Sequence, residues 1–260
     1  MHVHLVEQDH LVAGLRDLRS ASKLLLVASI LGILVSVAIL SAVPALLSIS
    51  LTAQTSIQGL ASRLIAWLPL LIIGALLGLA SGVISLYAIY AKLLPSSKHL
   101  AKWRPSVFDT PRKLLYIGYW GALATGVLAF IAAVALAAGA LPALMQAAQA
   151  ERLIRLVVLL MLPLILVVLA GILAFVGEVG MIMLFYELGG ALQSERFKHV
   201  ALLTVAYILG GVLVGLIPNP AAMLPGLVVV AGLQAVAFYL AIEECTRILS
   251  SAPQQPPAGV

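Results

Sequence analysis

Glu178 is the one acidic side chain inside a long apolar stretch of this sequence, Leu164 to Tyr186. Placing an ionised carboxylate in the hydrocarbon of a membrane costs at least about 2.5 kcal/mol, so an acidic residue at that depth indicates proton or cation transport. The apolar region from Leu156 to Tyr186 holds 31 residues, about 46 Å as a helix, which exceeds the hydrocarbon thickness. Glu178 is therefore either intramembrane or close to the lipid headgroups, where a carboxylate is ordinary.

Gln234 is the second polar group of interest, because it lies in an apolar run and its amide needs partners outside its own helix. Serine and threonine differ, since their hydroxyls can bond to a carbonyl of the preceding turn. We predict that Gln234 joins two helices. If Glu178 lies at membrane depth, the polar neighbours that the sequence offers it are Gln234, Tyr207 and Tyr239.

The sequence contains no recognisable catalytic motif. It has no HExxH, GxSxG or GxxxxGK[ST] pattern, and its one adjacent acidic pair, Glu243 and Glu244, follows the last apolar run. His2 and His4 lie in a terminal segment without preformed geometry for a metal, and Cys245 has no second cysteine to pair with. We therefore predict a protein that is not an enzyme and that holds no cofactor or metal.

The composition of the whole chain excludes a soluble protein. Of its 260 residues, 63% are hydrophobic and 10% are charged, whereas soluble domains average about 25% charged. Apolar runs long enough to cross about 30 Å of hydrocarbon must be helical, because lipid offers no hydrogen bonds to the backbone. We predict an all-α, polytopic bundle of six transmembrane helices. The apolar runs lie at 24–46, 66–91, 114–139, 156–180, 199–217 and 222–242.

The distribution of Lys and Arg predicts how the chain crosses the membrane. With the N-terminus in the cytoplasm, the loops on the far side contain only Arg63, Arg152 and Arg155 of the 15 basic residues. Because cytoplasmic loops are enriched in Lys and Arg, both termini are predicted to be cytoplasmic. The net charge of +5 follows from this topology, and we predict no nucleic-acid partner.

Two segments flank the predicted transmembrane domain, which covers residues 24–249. Residues 250–260 are rich in Pro and Gln and too poor in apolar residues to order themselves. Residues 1–23 contain apolar residues at helical spacing, among them Leu15 and Leu18. This segment is either an amphipathic helix lying in the membrane interface or an extension of the first span into the cytoplasm.

Small residues at spacing four mark helix faces that a neighbouring backbone can approach closely. Gly74, Gly78 and Gly82 line one face of the second span, and Gly211 and Gly215 line one face of the fifth. We predict that these glycines pack against other helices of the chain. The face on the second span is also the best candidate for an interface with another subunit.

The loop at 92–113 has six basic residues, with Trp103 and Phe108 among them. Near an anionic membrane surface, each basic residue contributes about 1 kcal/mol of binding. The other interpretation is that these charges only orient the chain. The candidate lipid-headgroup patch consists of Lys98, Lys102, Arg104, Arg112 and Lys113.

Two short segments carry a family resemblance. Residues 14–19, with the sequence GLRDLR, lead straight into the first span, and LGG at 188–190 followed by SERFK at 194–198 leads into the fifth. In these segments the chain resembles an archaeal family of multi-pass membrane proteins, domain of unknown function 973. The resemblance implies an archaeal plasma membrane and no assigned activity, so it assigns no functional residues.

Two functions are compatible with this sequence. The favoured one is a non-enzymatic membrane component, embedded in the bilayer, that packs against a second copy or against other membrane subunits. The alternative is a small transporter or channel, which needs several polar groups converging at mid-membrane. For such a pathway the sequence offers Glu178 and Gln234.

Overall fold

The structure, a computed structural model, describes residues 2–51, 57–146, 149–218 and 220–251. Within these ranges it is helical and contains no strand, which confirms the all-α prediction. A π turn (Ile89–Leu93) joins the second helix to the third. The helices are α1 (His2–Leu51), α2 (Ile57–Ala88), α3 (Leu94–Trp103), α4 (Pro105–Gln146), α5 (Gln149–Ala191), α6 (Glu195–Gly215) and α7 (Pro220–Ser251).

Six helical segments of the described ranges are long and apolar enough to cross a membrane, which confirms the six-span prediction. The shortest, α6, has 21 residues, about 32 Å, which matches the hydrocarbon thickness. The longer α5 has 43 residues, about 65 Å, so part of it extends beyond the hydrocarbon. The side of the membrane on which the termini lie stays a prediction.

The chain divides into two compact units, of which the first comprises Met1–Pro105 and Phe185–Val260. In this unit α1 packs against α7, α2 and α3, and α6 packs against α7. The ring of Phe185, near the end of α5, stacks on that of Phe197 in α6 at 6.3 Å between centroids. Both rings are fully buried, which anchors the turn between α5 and α6 in the core of the unit.

The helix α1 runs from His2 to Leu51 without a break at Lys23. Leu15 and Leu18 are covered by protein, with exposed fractions of 1% and 0%. The apolar stripe of this segment therefore contributes to the core of the first unit. At the other end of the chain α7 continues to Ser251, and the rest of the predicted tail lies outside the described residues.

The second unit comprises Ser106–Leu184, that is, most of α4 and most of α5. The helix α4 begins at Pro105, directly after the non-helical Arg104, which has φ −138° and ψ 87°. Proline is favoured at the first position of a helix because its missing N–H needs no partner there. The two helices contact each other through glycines, and these contacts position the first candidate site.

Candidate functional site

Two glycines lie where α4 and α5 are in close contact. A Cβ placed on Gly118 would overlap the backbone nitrogen and Cα of Gly177, so no side chain fits between the helices at this point. One turn further along, a Cβ on Gly180 would lie 2.7 Å from the backbone nitrogen of Leu115. Such small residues allow helix backbones to pack closely where lipid provides no hydrophobic drive for association.

Glu178 lies beside this crossing and is hydrogen-bonded to a tyrosine. The hydroxyl of Tyr119 donates to Oε1 of Glu178 over 3.2 Å. Tyr119 is 6% exposed, its ring packs on the position of Gly177, and Glu178 is half-buried. The contact is possible because both residues immediately follow the two touching glycines, Gly118 and Gly177.

Sequence reasoning did not identify Tyr119 as a hydrogen-bonding partner of Glu178. A signal was available, since small residues at 118 and 177 each precede a polar residue on neighbouring spans. Gln234 is half-buried in α7, and its amide makes no hydrogen bond within the described part of the chain.

A second polar cluster was not predicted and is centred on Glu244 near the end of α7. The Glu244 side chain is fully buried. Its carboxylate accepts hydrogen bonds from Ser194 Oγ at 2.5 Å, from Arg247 Nη2 at 2.5 Å and from Arg247 Nε at 2.9 Å. The Nε of Arg196 lies 4.0 Å from Oε2 of Glu244. We call Glu244, Ser194, Arg196 and Arg247 the Glu244 cluster.

Ser194 connects the Glu244 cluster to the turn between α5 and α6. It is the N-cap of α6, since its Oγ accepts a hydrogen bond from the backbone N–H of Phe197 at 3.4 Å. The preceding Gln193 has φ 51°, and the N–H of Ser194 donates to the carbonyl of Gly189 at 2.9 Å. This is the Schellman arrangement that ends a helix. Ser194 therefore contributes its N–H to the end of α5 and its hydroxyl to the start of α6, and the same hydroxyl donates to Glu244 of α7.

The partners in the Glu244 cluster account for the burial of this carboxylate, and no catalytic role is needed to explain it. A buried ion is stable where charged and hydrogen-bonding partners replace its hydration, and here two arginines and a hydroxyl do so. The neighbouring Glu243 forms a more exposed pair with Arg196 Nη1 at 2.5 Å. The arrangement joins three helix ends and is suited to holding them in place.

The glycines predicted to pack have unequal surroundings. On α2, a Cβ at Gly74, Gly78 or Gly82 would have no described atom within 4 Å. On α6, Gly211 is in ordinary contact with Val230 of α7 at 3.9 Å, and Gly215 is open.

The tight contacts of the α6–α7 hairpin are at two other glycines. A Cβ on Gly210 would lie 3.1 Å from Val230, and a Cβ on Gly226 would meet Val214 even more closely. The tight contact of α6 with α7 thus lies at Gly210, the residue before Gly211.

The predicted basic patch divides between the two units. Lys98, Lys102 and Arg104 are exposed residues of the first unit. Arg112 and Lys113 belong to the second unit, and both form ion pairs with Asp109, at 2.6 and 2.7 Å. The unpaired positive charge of the patch is therefore concentrated at the first three residues.

The part of the chain that the structure describes contains no group of three or more metal-binding side chains. Two histidines, His10 and His99, come closest, with ring centroids 6.0 Å apart. Comparison with known proteins adds no functional site: the chain matches no family model, no curated protein and no solved structure.

Proposed function

We propose that this membrane protein is a non-enzymatic component that packs against a second copy of itself or against other membrane subunits. The open glycine face of α2 is the observation that supports the proposal. Gly78 and Gly82 are exposed, and a Cβ on either would have no described neighbour. Some glycines of other helices, such as Gly118 and Gly226, are contact points instead.

A glycine on the surface of a helix makes that helix less stable. Glycine in a helix interior is less stable than alanine by about 0.5–1 kcal/mol. Lipid tails gain nothing from the missing side chain, whereas another helix can approach more closely. The helix α2 is held on α1 by Ser81, whose Oγ donates to the carbonyl of Ala28 at 3.0 Å. Gly78 and Gly82 lie beside that contact and remain accessible to another chain.

Cysteine crosslinking in native membranes tests the proposal. Gly78→Cys and Gly82→Cys should form covalent dimers with a short bifunctional maleimide if two copies meet through this face. Gly171→Cys is the matched control, because Gly171 is also an exposed helical glycine with open space around it. The native Cys245 is fully buried and does not compete for the reagent.

A second test covers partners other than a second copy. Gly78→Leu should lower the thermal stability of the complex extracted in mild detergent or reduce its size, and Gly171→Leu should do neither. The proposal fails if the cysteines on α2 crosslink no more than the control and Gly78→Leu changes neither size nor stability. The glycines of α2 would then face lipid.

The proposed location is the plasma membrane, with both termini in the cytoplasm. The support for this orientation is the charge distribution, in which only Arg63, Arg152 and Arg155 of 15 basic residues lie in loops on the far side. The plasma membrane is supported by the resemblance of residues 14–19 and 188–198 to an archaeal membrane family.

A small transporter is the second candidate function, and the half-buried Glu178 with its tyrosine partner is the observation that favours it. If the carboxylate accepts the tyrosine hydrogen bond when it is ionised and releases that bond when it is protonated, its protonation couples transport to a proton gradient. The test is proton- or solute-driven flux in proteoliposomes for the wild type and Glu178→Gln. Flux that Glu178→Gln abolishes supports transport, and no flux across a broad panel of solutes argues against it.

A further inference from the structure

The exposed face of α3 carries basic side chains, and its other face is fixed to α1. We propose that Lys98, Lys102 and Arg104 form a binding site for the anionic headgroups of membrane lipids. The site depends on the orientation of α3, on the unpaired charge of its exposed face and on its position directly after a membrane span.

The orientation of α3 is held by contacts with α1. The Oγ of Ser96 donates to the backbone carbonyl of Gly14 over 2.8 Å. A Cβ on Gly14 would lie 2.9 Å from the side chain of Leu100, so the two helices are in close contact there. Leu94 and Leu100 are 2% and 0% exposed. The helix is therefore not free to rotate, and its basic residues keep a defined direction.

The π turn determines which residues of α3 face α1. In a regular helix of 3.6 residues per turn, Lys92, His99 and Lys102 would lie on the same face as the buried Ala88 and would point towards α1. The N–H of Leu94 instead donates to the carbonyl of Ile89, five residues earlier, which adds one residue to this turn.

The added residue shifts the buried stripe by one position. The residues that are buried are Leu93, Ser96 and Leu100, one position beyond those of a regular helix. Lys102 consequently faces away from α1 and is exposed. Lys92 is also outside the buried stripe, and its Nζ forms an ion pair with Asp17 of α1 at 3.5 Å. The basic face of α3 is therefore a product of the π turn. Such turns are frequent at functional sites.

The charges of this face have no acidic partner among the side chains that the structure describes. Among the described residues, neither Lys98 nor Lys102 forms an ion pair, and Arg104 lies over the ring of Trp103 at 4.6 Å. Lys98 and Lys102 are four residues apart, so they are neighbours on the helix surface and repel each other unless an anion lies between them. Arg112 and Lys113, by contrast, are both paired with Asp109, which leaves the three residues with one net positive charge.

The chemistry and position favour lipid as the anion. The helix α3 continues directly from the apolar span of α2 and ends at Trp103, a residue type that prefers the level of the headgroups. Lysine and arginine side chains near the end of a span extend into the same layer. A phosphate-bearing headgroup of the adjacent leaflet can therefore reach Lys98, Lys102 and Arg104 without leaving the bilayer.

Binding of soluble short-chain lipids to the purified full-length protein tests the proposal. The affinity for dioctanoyl phosphatidylglycerol, followed by native mass spectrometry, should exceed that for dioctanoyl phosphatidylcholine. Each lysine should contribute about fivefold, so Lys98→Gln/Lys102→Gln should weaken phosphatidylglycerol binding roughly 30-fold. Lys98→Arg/Lys102→Arg should retain binding, which separates loss of charge from damage to the fold.

The matched control is Arg112→Gln/Lys113→Gln, which removes the same formal charge from residues already paired with Asp109 and should change affinity less than threefold. Equal weakening by both double variants would mean that only total charge matters and would overturn the site. Equal binding of the two lipids would overturn it as well. So would binding of glycerol phosphate, polyglutamate or an oligonucleotide as tightly as of phosphatidylglycerol, because the partner would then not be a lipid.

Discussion

Gly118 and Gly177 touch backbone to backbone where α4 crosses α5. This contact brings the next residue of each helix, Tyr119 and Glu178, within hydrogen-bonding distance at 3.2 Å. The hydrogen bond between Tyr119 and Glu178 thus depends on the absence of side chains at Gly118 and Gly177.

Gly118→Ala should destabilise the protein, because the added methyl group would overlap the backbone of Gly177 and force the helices apart. Overpacking of this kind typically costs about 1–3 kcal/mol. Gly126→Ala on the same helix is the control, since a Cβ there meets nothing within 4 Å. Thermal unfolding in detergent should show a lower Tm for Gly118→Ala only. An unchanged Tm would show that α4 and α5 are not in such close contact.

The Tyr119–Glu178 hydrogen bond should be visible as a coupling between the two residues. Tyr119→Phe and Glu178→Leu should each reduce stability by about 1 kcal/mol, because each removes one partner of the same bond. The double variant should lose less than the sum of the two single losses. Unfolding measurements on all four proteins give the coupling, and strictly additive losses would mean that the two side chains do not interact.

Glu244→Ala should be far more harmful than Glu243→Ala, although the two residues are adjacent and of the same type. Loss of Glu244 leaves the buried Ser194 hydroxyl without its acceptor and Arg247 without its carboxylate, a cost of about 1–3 kcal/mol. Glu243 forms a more exposed pair with Arg196, and such pairs contribute about 0–1 kcal/mol. The measurement is the Tm of each variant. Equal decreases in Tm for Glu244→Ala and Glu243→Ala would contradict the burial of Glu244.

Gly189→Ala should destabilise the turn between α5 and α6, whereas Gly190→Ala should not. A Cβ at Gly189 would lie 2.7 Å from Cγ of Lys198 and 3.1 Å from the carbonyl of Ser194. A Cβ at Gly190 would have no neighbour within 4 Å. Limited proteolysis at this turn and the Tm should both distinguish the two variants. Tolerance of alanine at both positions would show a looser turn.

The orientation in the membrane is testable with reporter fusions in a bacterial host. Fusions within 92–113 should report the cytoplasmic side, because six basic residues lie in this loop. Fusions after residue 260 should report the same side, because six spans return the chain to the side of its N-terminus. Fusions within 50–62 should report the opposite side. A C-terminal fusion on the far side of the membrane would be incompatible with an even number of spans from a cytoplasmic N-terminus.

The sequence by itself determined the secondary structure and the number of spans. Long apolar runs must be helical in lipid whatever their neighbours are, so helices such as α5 and α6 follow from local composition. The boundaries were less predictable: the third apolar run begins at residue 114, whereas α4 begins at Pro105. A hydropathy pattern shows where a helix is apolar, and several helices continue beyond that part.

Only the tertiary structure decided which polar and small residues meet. Contacts between helices depend on how each helix is rotated and shifted, and one residue changes the direction of a side chain by 100°. The π turn at Ile89–Leu93 makes such a change and has no signature in composition. For the same reason spacing placed the packing glycine of α6 at Gly211, whereas the tight contact is at Gly210. It also did not foresee the hydrogen bond between Tyr119 and Glu178 or the burial of Glu244.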